Sequence, residues 1–89
     1  MTSTDASHDL ATLTQWVTER VAFYVEMSPQ DIEPEVDLVK YGMDSIRALT
    51  LSANVEDEFG LEVDAAFAWD HRTVDQIARY LADALGTRN

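Results

Sequence analysis

Ser45 is the side chain with the most chemistry open to it. It stands in KYGMDSIRAL, residues 40–49, directly after Asp44 and at the head of an apolar-periodic run. Asp44 suits a helix N-cap, because a carboxylate there accepts from first-turn amides and favours the positive helix end. A serine beside such a cap either only starts the helix or offers its hydroxyl to another protein. Nucleophilic catalysis by Ser45 itself needs an adjacent base held by a third group. The chain has two histidines, His8 near its start and His71 at a later junction. Nothing in the sequence places either beside Ser45, and no glycine elbow surrounds it. If the serine reacts, a separate protein supplies the base. Two other clusters read as structural. Asp70 with His71 suits junction hydrogen bonding. EDEFGLEVD, residues 56–64, lacks the alternating ligands and loop glycine of a calcium-binding hand.

The elements that must position Ser45 follow from periodicity. Leu10, Leu13, Trp16, Val17, Val21, Tyr24 and Val25 recur at helical spacing, which predicts a first helix over about 9–26. Residues 27–43 hold both prolines, Pro29 and Pro34, and therefore form a loop of about 17 residues. Ile32, Val36, Leu38 and Val39 are expected to anchor that loop on the core. A second helix starts at Asp44 or Ser45 and runs through Phe59, with Gly60 at its left-handed end and Leu61 folding back. Ala48, Leu51, Val55 and Phe59 are its core stripe, while Ile46, Leu49 and Ala53 point elsewhere. A short helical turn is expected at 65–69. Thr73 and Gln76 read as a capping box, with the Gln76 side chain reaching back. Val74, Ile77, Ala78, Leu81 and Leu85 then make a buried stripe that Gly86 ends. The sum is an all-α fold, a small irregular four-helix bundle of three main helices and one short helix, with a long first loop.

Composition narrows the partners. Seventeen Asp and Glu against six Lys and Arg give a formal charge of −11. That argues against nucleic acid and anionic membrane surfaces as partners, since both call for clustered cations. It favours basic protein surfaces through electrostatic steering. There is no cysteine, hence no disulfide and no cysteine metal site. No apolar run approaches the ~18 residues of a membrane span, and MTSTDASHDL has no signal pattern. A cytoplasmic monomer is expected, with tails at 1–8 and 87–89 around one domain at 9–86. It reads as a discrete protein, though a domain cut from a longer chain would look the same.

Taken together, these residues resemble the acyl carrier protein family over about 10–85. The family pattern has an apolar residue and proline in the loop, then leucine, glycine and D-S-[LI] opening the second helix. Here those are Ile32, Pro34, Leu38, Gly42, Asp44, Ser45 and Ile46, followed by EDEFG and then by WDHRTVDQIARYLA, with Arg72 where proline is usual. The resemblance implies that Ser45 carries 4′-phosphopantetheine, delivered from coenzyme A by a magnesium-dependent phosphopantetheinyl transferase. The arm's thiol would hold acyl groups as thioesters for an acyltransferase or acyl ligase and for a ketosynthase or other biosynthetic enzymes. The chain would be a carrier and not an enzyme.

Two departures bear on the pathway. Arg47 and Thr50 stand where fatty-acid carriers usually show acids, and with the DHRT junction they look more like polyketide-synthase carriers. Peptidyl carriers usually place glycine where Asp44 stands, and aryl or amino-acyl cargo stays open. Arg47 opposes its own helix dipole by roughly a few tenths of a kcal/mol. It is either a solvated side chain or a determinant of partner choice. Asp44, Ile46, Arg47 and Leu49 form the expected docking surface, with Glu56 and Asp57 as outer contacts. Trp16 and Trp69 read as core-edge aromatics, Trp69 with the further option of touching the carried chain. A non-carrier acidic interaction module on the same fold is the alternative.

Overall fold

The computed structural model describes residues 9–63 and 67–87. Helix α1 spans Leu10–Val25. It starts where Asp9 accepts the Thr12 amide at 2.8 Å, which satisfies one of the orphan donors of the first turn. Leu13, Val17 and Val21 repeat every four residues and are fully buried, with Ala22 beside them. The helix ends without a glycine. Glu26 takes the left-handed conformation, φ 61 and ψ 47, and its amide and that of Met27 both donate to the Ala22 carbonyl.

The long loop contains two 3-10 turns, Pro29–Asp31 and Leu38–Tyr41. Ile32 and Leu38 anchor it in the core, as expected, and Val36 is half-buried. Val39 does not anchor it: the side chain is 43% exposed. At three residues per turn, a core position taken by Leu38 sends the next side chain about a third of a turn away. The loop is tied down by its polar backbone. Leu38 N donates to Arg72 O at 2.7 Å, and Asp75 N to Pro34 O at 2.9 Å. Asp37 caps the second turn through the Val39 amide and pairs with Arg72 Nε at 3.3 Å. Arg72, where the family usually has proline, is thus a link between loop and last helix.

Helix α2 spans Ser45–Phe59 and closes at Gly60, φ 68. Ala48, Leu51 and Val55 face the core, and buried Ser52 returns its hydroxyl to the Ala48 carbonyl. The short α3 is Phe67–Asp70. The expectations for 1–8, for 65–66, for 88–89 and for the Trp69 side chain fall outside the described residues. Helix α4, Val74–Thr87, is capped by the Thr73 hydroxyl on the Gln76 amide at 3.1 Å. The Gln76 side chain reaches one residue further than a capping box requires and accepts the Arg72 amide. The expected stripe of Val74, Ile77, Ala78, Leu81 and Leu85 is buried throughout. Gly86 does not end the helix, which continues to Thr87. Glycine permits a left-handed residue without forcing one, and Gly86 has no positive φ. Helix α1 packs mainly on α4, and α2 mainly on α3.

Candidate functional site

The approach to Ser45 alternates between buried and exposed residues. Gly42 closes the second 3-10 turn at φ 99, donating to the Leu38 and Val39 carbonyls. A Cβ there would meet nothing within 4 Å, so the position needs glycine for its dihedral and not for space. Met43 then turns inward and is buried. Met43 and Ala48 hold the N′ and N4 positions of a hydrophobic staple, which sets the angle at which the chain enters α2. Asp44 is extended, φ −135 and ψ 179, and Ser45 is the first helical residue. Asp44, Ser45 and Ile46 are all exposed.

Asp44 caps the helix as expected, its Oδ1 accepting the Arg47 amide at 2.8 Å. Arg47 keeps part of its side chain in solvent, 40% exposed, but its guanidinium is partnered. Its Nη1 donates to Asp44 Oδ2 at 2.7 Å, and its Nε to the Tyr24 carbonyl at 2.8 Å. The Arg47 amide, and more weakly the guanidinium, hold the Asp44 carboxyl below the usual carboxylate range. The charges alternate from the negative end of α1 to Arg47, Asp44 and the positive end of α2. Each neighbour is favourable, which offsets the cost of a cation in the first turn of α2.

The remaining expected site residues divide along α2. Ile46 is 75% exposed and Leu49 53%; both lie beside Ser45 on the outer surface of the helix. Glu56 and Asp57 are exposed near the far end, roughly 16–18 Å from Ser45 at helical rise. The Glu56 carboxylate also accepts the Val63 amide at 3.2 Å, and so fixes the segment after Gly60. His71 serves the junction as expected, through the Phe67 carbonyl at 2.9 Å. Its ring lies 5.3 Å from Phe67 and 4.9 Å from Tyr80. Trp16 lies edge-on to Phe59 at 4.9 Å, a core-edge aromatic. Among the described residues no group of His, Asp and Glu is gathered to hold a metal, and no helix is long and apolar enough to cross a membrane.

One large aromatic, Phe23, stands exposed on α1. It is 69% exposed, with the Arg20 guanidinium carbon 5.9 Å from its ring centroid. Its signal was its absence from the Leu13, Val17, Val21 stripe.

Known proteins resemble this chain in sequence and fold. A family model described as "Phosphopantetheine attachment site" matches residues 15–81. Over 72 residues, 81% of this chain, the sequence is 28% identical to a phenolphthiocerol/phthiocerol polyketide synthase subunit of Mycobacterium tuberculosis. Over 66 residues, 74% of the chain, it is 26% identical to 6-methylsalicylic acid synthase of Penicillium expansum. The chain spans only 4% of the length of these relatives. Among solved structures, a free-standing peptidyl carrier protein from an uncharacterized Acinetobacter baumannii secondary metabolic pathway superposes with a TM-score of 0.83. It is 33% identical, and the match covers 88% of this chain and 98% of that one. The HMG-ACPI domain of the CurA module from Lyngbya majuscula gives 0.84 at 20% identity, covering 91% and 82%, a likeness of fold alone.

Proposed function

We propose, for a chain that belongs to the phosphopantetheine attachment site family, that Ser45 is the residue carrying the arm and that the loaded protein delivers acyl intermediates in polyketide assembly. The fold is that of a carrier protein, and the family's group is covalently attached 4′-phosphopantetheine. The observation that carries the assignment to Ser45 is its place as first helical residue of α2, exposed, immediately after the capping Asp44. A phosphate attached there lies at the positive end of the helix. In the transfer, the Ser45 oxygen bonds to the phosphorus bearing the pantetheine of coenzyme A. The pyrophosphate bond breaks, adenosine 3′,5′-bisphosphate leaves, and the serine proton passes to a base on the transferase. The chain supplies no catalytic group of its own.

The partners follow from this role: a phosphopantetheinyl transferase, an acyltransferase or acyl ligase, and a ketosynthase or other biosynthetic enzyme. Ile46 and Leu49 offer them an apolar surface beside the attachment point, and Asp44, Glu56 and Asp57 offer charge. The phenolphthiocerol/phthiocerol polyketide synthase relative supports the pathway. The likeness to a free-standing peptidyl carrier supports a second reading, amino-acyl cargo. Loading the holo protein with malonyl or with amino-acyl groups separates the two.

The cysteine-free sequence gives a direct assay. Thiol titration should find none in the unmodified chain and one per chain after incubation with coenzyme A, magnesium and a broad-specificity transferase, once free coenzyme A and the transferase have been removed. No thiol in the folded, treated protein would refute the proposal.

A further inference from the structure

The α1 and α2 helices pack chiefly on other partners, α1 on α4 and α2 on α3. Both contribute to the shared apolar core, and two polar contacts also join them. Arg20 Nη1 reaches Asn54 Oδ1 at 3.4 Å, a long contact well away from the serine. Arg47 Nε reaches the Tyr24 carbonyl at 2.8 Å, within two residues of it.

That carbonyl lies in the last turn of α1, which ends at Val25, before the residue whose amide would be its donor. Arg47 supplies the missing donor, and a cation at a helix C-terminus is favourable. The same guanidinium holds Asp44 Oδ2, while Asp44 Oδ1 holds the Arg47 amide. Residues 44 and 47 therefore close a ring around Ser45 and Ile46, and that ring is tied to α1. A planar fork with Nε on one acceptor and Nη1 on another fixes its own orientation, which a lysine cannot do.

We propose that Arg47 is a positioning residue for Ser45, a clamp that locks the first turn of α2 to the last turn of α1 so that the hydroxyl is presented in one orientation. The inference rests on Ser45 being the attachment residue. It gives Arg47 an inward role in place of partner choice. Positioning acts on the chemical step, since small misplacements of a reacting group cost large factors in rate.

The test follows modification of the full chain by a broad-specificity phosphopantetheinyl transferase with coenzyme A and magnesium, by intact mass over time at several carrier concentrations. The parent is compared with Arg47→Ala, Arg47→Lys and Arg79→Ala. Arg79 pairs locally with Asp75, four residues away on α4. Arg47→Ala should lose about tenfold in kcat with little change in KM. Arg47→Lys should fall between, and Arg79→Ala should match the parent. Amide hydrogen exchange of Arg47→Ala should rise about tenfold at Glu26, Met27 and the amide of position 47 while Leu51 and Leu81 stay protected. Unchanged kinetics, or a loss confined to KM with exchange unchanged, would overturn the proposal. Exchange raised evenly through Leu51 and Leu81 would overturn it too, as general destabilisation. If Arg47→Ala does not fold, Arg47→Lys decides, and parent-like behaviour in both readouts counts against the clamp. A parent that is not modified at all refutes instead the attachment role of Ser45.

Discussion

Glu26 is the one residue other than glycine at positive φ among the described residues, and replacing it should stabilise the fold. At φ 61 and ψ 47 it closes α1 in the left-handed region. A side chain with a Cβ costs about 1–2 kcal/mol in that region. Glycine removes this cost and forfeits about 0.4–1 kcal/mol through the freer unfolded chain. Removing an acid from the negative end of α1 returns at least about 0.3 kcal/mol. The balance for Glu26→Gly is a gain of about 1 kcal/mol, or about 4–8 °C in Tm for a domain of this size. Glu26→Ala separates the contributions, because it removes the charge and keeps the strained Cβ; its gain should be only about 0.3 kcal/mol. Thermal unfolding by circular dichroism of the three proteins at one pH and salt concentration measures both differences. A Glu26→Gly protein no more stable than Glu26→Ala would refute the strain argument.

Other outcomes follow from the core and from the caps. Leu81→Ala, at a fully buried position on α4, should cost about 2–5 kcal/mol, a large part of the stability of so small a domain, and urea unfolding would show it. Asp9 and Asp44 are both held below their ordinary pKa, chiefly by the amides of Thr12 and Arg47. Each binds fewer protons folded than unfolded. Their contribution is therefore complete above the unfolded value of about 3.9 and is lost as pH falls through the lower folded values. Urea midpoints taken from neutral pH down to about pH 3 should fall along this limb, and Asp44→Asn, which keeps a cap acceptor, should show a shallower one. An unchanged acid limb in Asp44→Asn would contradict the assignment to Asp44.

The parts of the molecule legible in the sequence are those set by neighbours three or four residues apart. The stripes of α1, α2 and α4, the Asp44 cap, the Thr73 hydroxyl cap and the left-handed Gly60 all have this character. Leu38 was legible as a loop anchor by its apolarity, but Val39, equally apolar, was not separable from it until the 3-10 turn assigned them different directions. The end of α1 was placed by the loss of periodicity, yet its strained Glu26 carries none of the glycine signal that usually marks such a residue. Gly86 carried that signal and lies inside α4. Met43 gave no cue to its burial beyond a position next to a cap. Arg47 shows the largest gap. In the sequence its charge stands against its own helix, whereas the fold gives it Asp44 and a carbonyl 23 residues away. A long side chain can choose among acceptors only once tertiary packing has brought a second helix within reach.

Intact mass of the chain and of Ser45→Ala, each incubated with coenzyme A, magnesium and a broad-specificity phosphopantetheinyl transferase, tests the central claim most directly. The account predicts one added phosphopantetheine on the parent and none on the variant, both folded. An unmodified parent, or a Ser45→Ala protein that still gains the arm, would contradict it.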